Sequence, residues 1–123
     1  MWIASVVNAR TEQTICRHCC IATGWWQRLR GWMLRRQVAV DEGLLLVPAM
    51  GGIHTCFLRF PIDVAYLDKH LRVVAVRHAM LPWRVWVPCD RDAAMALELP
   101  AGRLTATDTR VGDPLQVLLR AWQ

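Results

Sequence analysis

The sequence of 123 residues lacks a long apolar run, since the longest uninterrupted stretch is residues 43–47, followed by residues 48–50. A membrane-spanning helix needs about 20 such residues, so we expect none. A long polar tract is also missing, and 54% of the residues are hydrophobic, which excludes a disordered chain. The first residues lack a basic leader, which argues against a secretory signal and favours a cytoplasmic protein. The length predicts a single domain over residues 1–123.

A complete set of cysteine ligands or disulfide partners is absent as well. The five cysteines are an odd number at irregular spacing, which favours reduced thiols. Cys16 and Cys19 have a spacing that can supply two zinc ligands, but a closed site needs four, and no matching second pair follows. We therefore predict neither a metal nor another cofactor, and we interpret Cys16, Cys19 and Cys20 as small buried residues on a strand.

Lysine is nearly absent, because 14 of the 15 basic residues are arginine. The net charge of +5 arises in residues 1–40, which hold six arginines and one glutamate, whereas residues 41–123 hold nine basic and nine acidic side chains. Arginines and tryptophans mix in residues 25–36, a pattern found where proteins bind nucleic acid or an anionic membrane surface. In the alternative interpretation, the tryptophans form the buried face of a helix and the arginines its solvated face.

Short strands separated by Gly and Pro dominate the rest of the pattern. Residues 3–8 and 14–20 flank a polar turn and predict a hairpin. Thr23 is expected to cap a helix whose apolar face consists of Trp25, Trp26, Leu29, Trp32 and Met33. Further strands are predicted at residues 44–47, 62–67, 71–77, 93–99 and 115–119, with an edge strand or extended loop at 82–88. The fold class is therefore mainly β, a sandwich-like or distorted barrel of short strands with one amphipathic helix packed against it.

Several motifs in a fixed order resemble a known family. They are Arg28-Leu29-Arg30-Gly31-Trp32-Met33, Gly43-Leu44-Leu45-Leu46, His54-Thr55, Arg59-Phe60-Pro61-Ile62-Asp63, Leu97-Glu98-Leu99-Pro100-Ala101-Gly102 and Gly112-Asp113. Together they are similar to the bacterial and archaeal family called domain of unknown function 192, or uncharacterised protein family 0127. The resemblance covers almost the whole chain and implies a β-sandwich-like fold. It implies no activity, because the family has none established.

Polar side chains inside an apolar stretch mark a candidate ligand-binding site. The set consists of His54, Thr55, Arg59, Asp63 and Glu98. Asp63 and Glu98 each share a predicted strand face with small residues, so both carboxylates could lie at the floor of one pocket. We predict a small binding or accessory module in which this pocket accepts a small polar or anionic ligand, or part of a protein partner.

Two other interpretations use the same residues. Arg59 could pair with Asp63 or Glu98 in an ion pair that only supports the fold. A small hydrolase could instead use His54 as the proton carrier beside a carboxylate, with Arg59 binding an anionic group. No Ser or Cys occupies a recognised nucleophile motif, so no catalytic residue is assigned.

Overall fold

The computed structural model describes residues 2–49 and 51–120, which form nine strands and two short helices. In chain order these are β1 (Trp2–Asn8), β2 (Gln13–Ala22), α1 (Trp25–Arg30), β3 (Glu42–Leu46), β4 (Ile53–His54), β5 (Ile62–Leu67), β6 (Val73–Met80), β7 (Val85–Trp86), β8 (Met95–Pro100), α2 (Arg103–Ala106) and β9 (Leu115–Arg120). The predicted class, mainly β, is confirmed. Neither helix in the described ranges has the length and apolar character needed to cross a bilayer.

Seven strands form one mixed sheet in the order β6-β5-β8-β3-β2-β1-β9, while β4 and β7 pair separately. The β2–β3 pair is parallel, and every other neighbouring pair in the large sheet is antiparallel. The two edge strands approach each other where they begin, through a bridge between Arg72 and Pro114 and an N–H of Leu115 donated to the carbonyl of Leu71 at 2.9 Å. The sheet is thus strongly curled but not closed.

The first core lies inside this curl. Side chains from all seven strands meet there with Leu104 of α2, and on β5 the contributors are Ala65 and Leu67. Cys16 and Cys19 also belong to this core and are free thiols, whereas Cys20 is half-buried. A Cβ on Gly43 would lie only 2.7 Å from the Sγ of Cys16, so the parallel β2–β3 pair needs glycine at that position. The interpretation of Cys16 and Cys19 as small buried strand residues is confirmed.

The second core lies on the opposite face of the sheet. Ile62, Val64 and Tyr66 of β5 point into it, so all six residues of β5 are buried. No second sheet of comparable size covers this face in the described ranges. Strand β4, through Ile53, and the connecting segments, through Trp32, Ala49, Leu58 and Ala93, cover it instead. Tyr66 holds the segment around Trp86 against this face. Its hydroxyl donates a hydrogen bond to the carbonyl of Trp86, and the two rings lie 4.5 Å apart.

The helix α1 is shorter than predicted, and its cap is different. It begins after Gly24 rather than at a Thr23 cap, and the Oε1 of Gln27 accepts the Gly24 N–H at 3.4 Å. It ends at Arg30 because Gly31 takes a φ of 47°, a left-handed conformation that glycine adopts without steric cost.

The tryptophans of this region do not share one buried face, so that prediction is wrong. Trp25 and Trp26 are 70% and 60% exposed, while Trp32 is 5% exposed and packs in the second core. The break at Gly31 lets the chain turn Trp32 toward the sheet independently of the helix. No residue of α1 itself is buried, so the two helical tryptophans lie on the surface.

Asp63 of β5 anchors the segment that leads into α2. Its Oδ2 accepts the backbone N–H groups of Gly102 and Leu104 at 3.1 and 2.9 Å, and its Oδ1 accepts that of Ala79 at 2.8 Å. The side chain is fully buried, so these three donors replace the water that the carboxylate loses.

The substitution Asp63→Asn should lower the free energy of unfolding by about 2–4 kcal/mol, because an amide NH2 would face a backbone donor and leave it unsatisfied. Urea denaturation measures the change. The matched control is Asp90→Asn, an exposed carboxylate whose Oδ1 accepts only the N–H of Asp92, and it should cost less than about 0.5 kcal/mol. Equal losses in the two variants would contradict the anchoring role of Asp63.

Candidate functional site

A cleft of about 430 Å³ opens on the second face of the sheet, beside α1. It lies between the helix with the residues that follow it and the connection that leads from β3 into β4. Most of its walls are apolar, from Leu29, Trp32, Met33, Leu46, Pro48, Ala49, Ile53 and Leu58. The charged or ionisable side chains that line it are Arg28, Arg30, His54 and Glu98. The cleft exists because connecting segments, rather than a second sheet, cover this face.

Glu98 lies in β8 between Leu44 and Val64 of the neighbouring strands, which places it on the second face. Only 4% of the residue is exposed. Its carboxyl group makes no hydrogen bond to the part of the protein that the structure describes, and the burial raises its pKa to about 8. Removal from water disfavours the charged form, so Glu98 is mostly a neutral carboxylic acid at pH 7.

His54 forms part of the wall and connects the helix to the strand β4. Its Nδ1 accepts the N–H of Cys56 at 3.1 Å, so Nδ1 carries no proton, and its Nε2 is 3.2 Å from the carbonyl of Leu29, to which it donates. Both ring nitrogens are therefore engaged with the backbone. This arrangement positions α1 against the loop that follows β4.

Thr55 and Arg59 lie outside the cleft. The buried Thr55 hydroxyl donates to the carbonyl of Leu81 at 2.7 Å and accepts the N–H of Arg84 at 2.8 Å, which holds the 81–84 loop. Arg59 is exposed and forms no ion pair with a carboxylate in residues 2–49 and 51–120. The interpretation in which Arg59 pairs with Asp63 or Glu98 is therefore wrong.

The two predicted carboxylates point to opposite faces of the sheet. In the β5–β8 ladder Asp63 is opposite Leu99, whereas Glu98 is opposite Val64, one position further along. Neighbouring positions on a strand face opposite ways, so Asp63 and Glu98 do not share a pocket. Of the five predicted site residues, the structure brings only His54 and Glu98 to the cleft.

Arg28 was missed as a site residue by the sequence interpretation, which placed it on a solvated helix face. One of its guanidinium nitrogens donates to the carbonyls of Thr23 and Val47, at 3.0 and 3.3 Å, and this holds the side chain along the cleft wall. The sequence did single out this region, since Arg28 begins the family motif that ends at Met33. The spacing of charged and apolar residues alone, however, does not show which side of a short helix faces a cleft.

The fold and site define a mainly β protein with an open, curled mixed sheet and an apolar cleft above a buried carboxyl group. The model of the DUF192 family, described as "Uncharacterized ACR", matches residues 6–117, and the chain belongs to this family. The family resemblance found in the sequence motifs is confirmed.

Relatives in archaea carry the name UPF0127 protein. That of Pyrococcus furiosus is 38% identical over 97 residues, which cover 77% of this chain and 82% of the relative. That of Thermococcus sibiricus is 32% identical over 98 residues, and the match covers 77% of this chain but 62% of the relative.

Two bacterial crystal structures are similar in fold. A protein of unknown function from Novosphingobium aromaticivorans has a TM-score of 0.81 at 18% identity, covering 94% of this chain and 84% of its own. A candidate transcription regulator from Sinorhizobium meliloti has a TM-score of 0.76 at 23% identity, covering 94% and 92%. At these identities the likeness concerns the fold alone.

Glu98 should make stability depend on pH. Its pKa is about 8 in the folded protein against an ordinary value of 4.5, so the stability that protonated Glu98 contributes is complete below about pH 4.5 and is lost as the pH rises through about 8. Glu98→Gln cannot ionise. The free energy of unfolding of the variant minus that of the wild type should therefore increase by on the order of 2–4 kcal/mol from about pH 5 to about pH 9.

Urea denaturation of both proteins at the two pH values measures this gain. The control is the exposed Glu12→Gln, whose stability should follow that of the wild type at both pH values. If the unfolding free energies of Glu98→Gln and the wild type differ by the same amount at both pH values, Glu98 is not a desolvated acid in the folded protein.

Proposed function

We propose that this protein is a binding module for small ligands, with residues 1–123 acting as one domain and the cleft beside α1 as the site. The observation that supports this most is Glu98: the residue is 4% exposed, lines an apolar cleft of about 430 Å³, and its carboxyl group has no hydrogen-bond partner in the described residues. Buried polar groups are normally paired, so a group left open toward a cleft can pair with a ligand. The volume falls in the range of small-molecule sites, roughly 300–1,000 Å³.

The ligand class follows from the chemistry of the lining. A neutral carboxylic acid donates one hydrogen bond, so Glu98 favours a ligand oxygen that accepts it. Arg28 and Arg30 line the same cleft, and no ionised carboxylate stands among the lining residues at pH 7. The apolar walls favour a hydrocarbon portion. The proposed ligand is therefore a small anion with an apolar body.

The predicted site residues have different roles in this proposal. Glu98 contacts the ligand, and His54 forms the wall and keeps α1 in place through Leu29. Thr55 and Asp63 support the surrounding loops through their backbone contacts. Arg59 is exposed, lies outside the cleft lining and contributes positive charge to the surface.

The hydrolase alternative has less support. His54 would need a free ring nitrogen to carry a proton to or from a substrate, and both of its nitrogens contact the backbone. A protonated imidazole could not accept the N–H of Cys56, so each proton transfer at Nδ1 would also break a contact that holds the loop.

Octanoate serves as the probe, because it combines a carboxylate with an apolar chain. Amide chemical shifts of Gly31, Gly52 and Ile53 should move on titration, and octylamine, which places a cation beside the arginines, should bind at least about tenfold more weakly. Gly51→Phe should abolish the shifts, because Gly51 lines the cleft and a Cβ added there has no atom within 4 Å, so the side chain can begin there without a clash at Cβ. The matched control is Val111→Phe, at an exposed position outside the cleft lining, and it should bind like the wild type.

The pH dependence of octanoate binding distinguishes the contribution of Glu98 from that of the other lining residues. Ionised Glu98 would repel the anionic probe, so wild-type affinity for octanoate should fall about tenfold between about pH 6.5 and about pH 9, while Glu98→Gln should show no such fall. The proposal fails if no amide of the cleft responds to octanoate, or if Gly51→Phe leaves the response unchanged.

A further inference from the structure

Three segments contact one another at the cleft: residues 24–37 and 51–60, which contribute to its lining, and residues 81–87, which contact the second of these. Contacts join them, since the Nε2 of His54 meets the carbonyl of Leu29, the N–H of Leu34 donates to the carbonyl of Phe57 at 3.0 Å, and the rings of Phe57 and Trp83 lie 4.6 Å apart. We call these three segments the arginine-aromatic surface.

Large apolar side chains are exposed across this surface. Trp25, Trp26, Leu34, Phe57, Trp83 and Val85 are all between 48% and 70% exposed. Such residues scattered singly are common, but here they stand on three segments that touch one another, and soluble proteins rarely expose a large contiguous apolar patch without an interaction partner.

The charge of the same surface has one sign. The three segments contain six arginines and no aspartate or glutamate, namely Arg28, Arg30, Arg35, Arg36, Arg59 and Arg84. Arg35 pairs with Glu42, which lies outside the surface, and the other five form no ion pair with a carboxylate in residues 2–49 and 51–120. The surface is thus both cationic and apolar.

We propose that the arginine-aromatic surface docks this protein onto an anionic lipid bilayer. Basic residues attract anionic head groups, and tryptophans beside aliphatic residues settle at the boundary between head groups and acyl chains. Nucleic acid would also attract the arginines and stack on the aromatic rings. The exposed Leu34 and Val85 favour the bilayer over nucleic acid. Aliphatic side chains are stabilised when they leave water for lipid, but they do not stack on bases as aromatic rings do.

Co-sedimentation of the full chain with vesicles tests the docking. The protein should bind vesicles of phosphatidylcholine mixed with phosphatidylglycerol and bind pure phosphatidylcholine at least about tenfold more weakly, and added salt should weaken the binding. The double variant Trp25→Ala/Trp26→Ala should lose most of the binding. The matched control is Trp2→Ala, which removes a tryptophan that is 55% exposed but lies in β1, outside the surface.

A charge series completes the test. Arg30→Gln/Arg36→Gln should weaken binding about 30-fold, because each basic residue near an anionic membrane contributes about 1 kcal/mol. Lys69→Gln/Arg17→Gln removes the same charge from exposed positions outside the surface and should have a much smaller effect. Glu98→Gln should bind vesicles like the wild type, so this inference and the proposed ligand site fail separately.

Three outcomes would overturn the docking proposal. The first is equal binding to neutral and anionic vesicles, and the second is an equal loss in the Trp2 and Trp25/Trp26 variants. The third is binding of a single-stranded oligonucleotide that depends on Arg30 and Arg36 while vesicles are not bound, which would assign the surface to nucleic acid.

Discussion

The burial of β5 on both faces is the constraint on which the rest of the structure depends. Every residue of this strand is removed from water, so the fold must supply two apolar coverings for one sheet. The sheet supplies the first itself, by curling until residues of its edge strands β6 and β9 enter the same core. It cannot supply the second in the same way, because a sheet curls toward one side only. The connecting segments must therefore cover the other face.

This division explains where the cleft lies. Strands that face one another pack in regular layers, whereas loops and a six-residue helix cover a sheet through a few individual side chains. Trp32, Ile53 and Leu58 pack on the second face, and the space between them and α1 stays open as the cleft. The cleft is thus a result of how the second face is covered.

Asp63 and Glu98 lie at adjacent positions of the β5–β8 ladder but on opposite faces of the sheet, in different environments. Each lies on a central strand and is nearly inaccessible to water, yet Asp63 receives three backbone N–H groups and Glu98 receives none from the described residues. The difference arises because Asp63 faces the turn before α2, where free N–H groups of a helix start are available. Glu98 faces apolar residues and a cleft, and the burial raises its pKa to about 8.

Much of the strand pattern could be predicted from sequence. The predicted strand at 62–67 coincides with β5, because its β-branched and aromatic residues stand between a proline and a polar turn. The helix was less predictable, since Gly31 interrupts a spacing that otherwise continues to Met33. Prediction of the site required knowledge of the register between β5 and β8. This register places Asp63 opposite Leu99. It is set by long-range packing, so a strand pattern read along the chain could not show that Asp63 and Glu98 face apart.

The parallel pairing of β2 with β3 has a consequence for how this fold can vary. Two parallel neighbours cannot be joined by a tight turn, so the chain must return along the sheet between Ala22 and Glu42 before it can enter β3. That return connection contains α1, one wall of the cleft and four of the arginines. Its residues contribute no strand to the ladder of hydrogen bonds. Insertions, deletions or exchanges in this connection would therefore change the shape and charge of the cleft while the sheet stays the same.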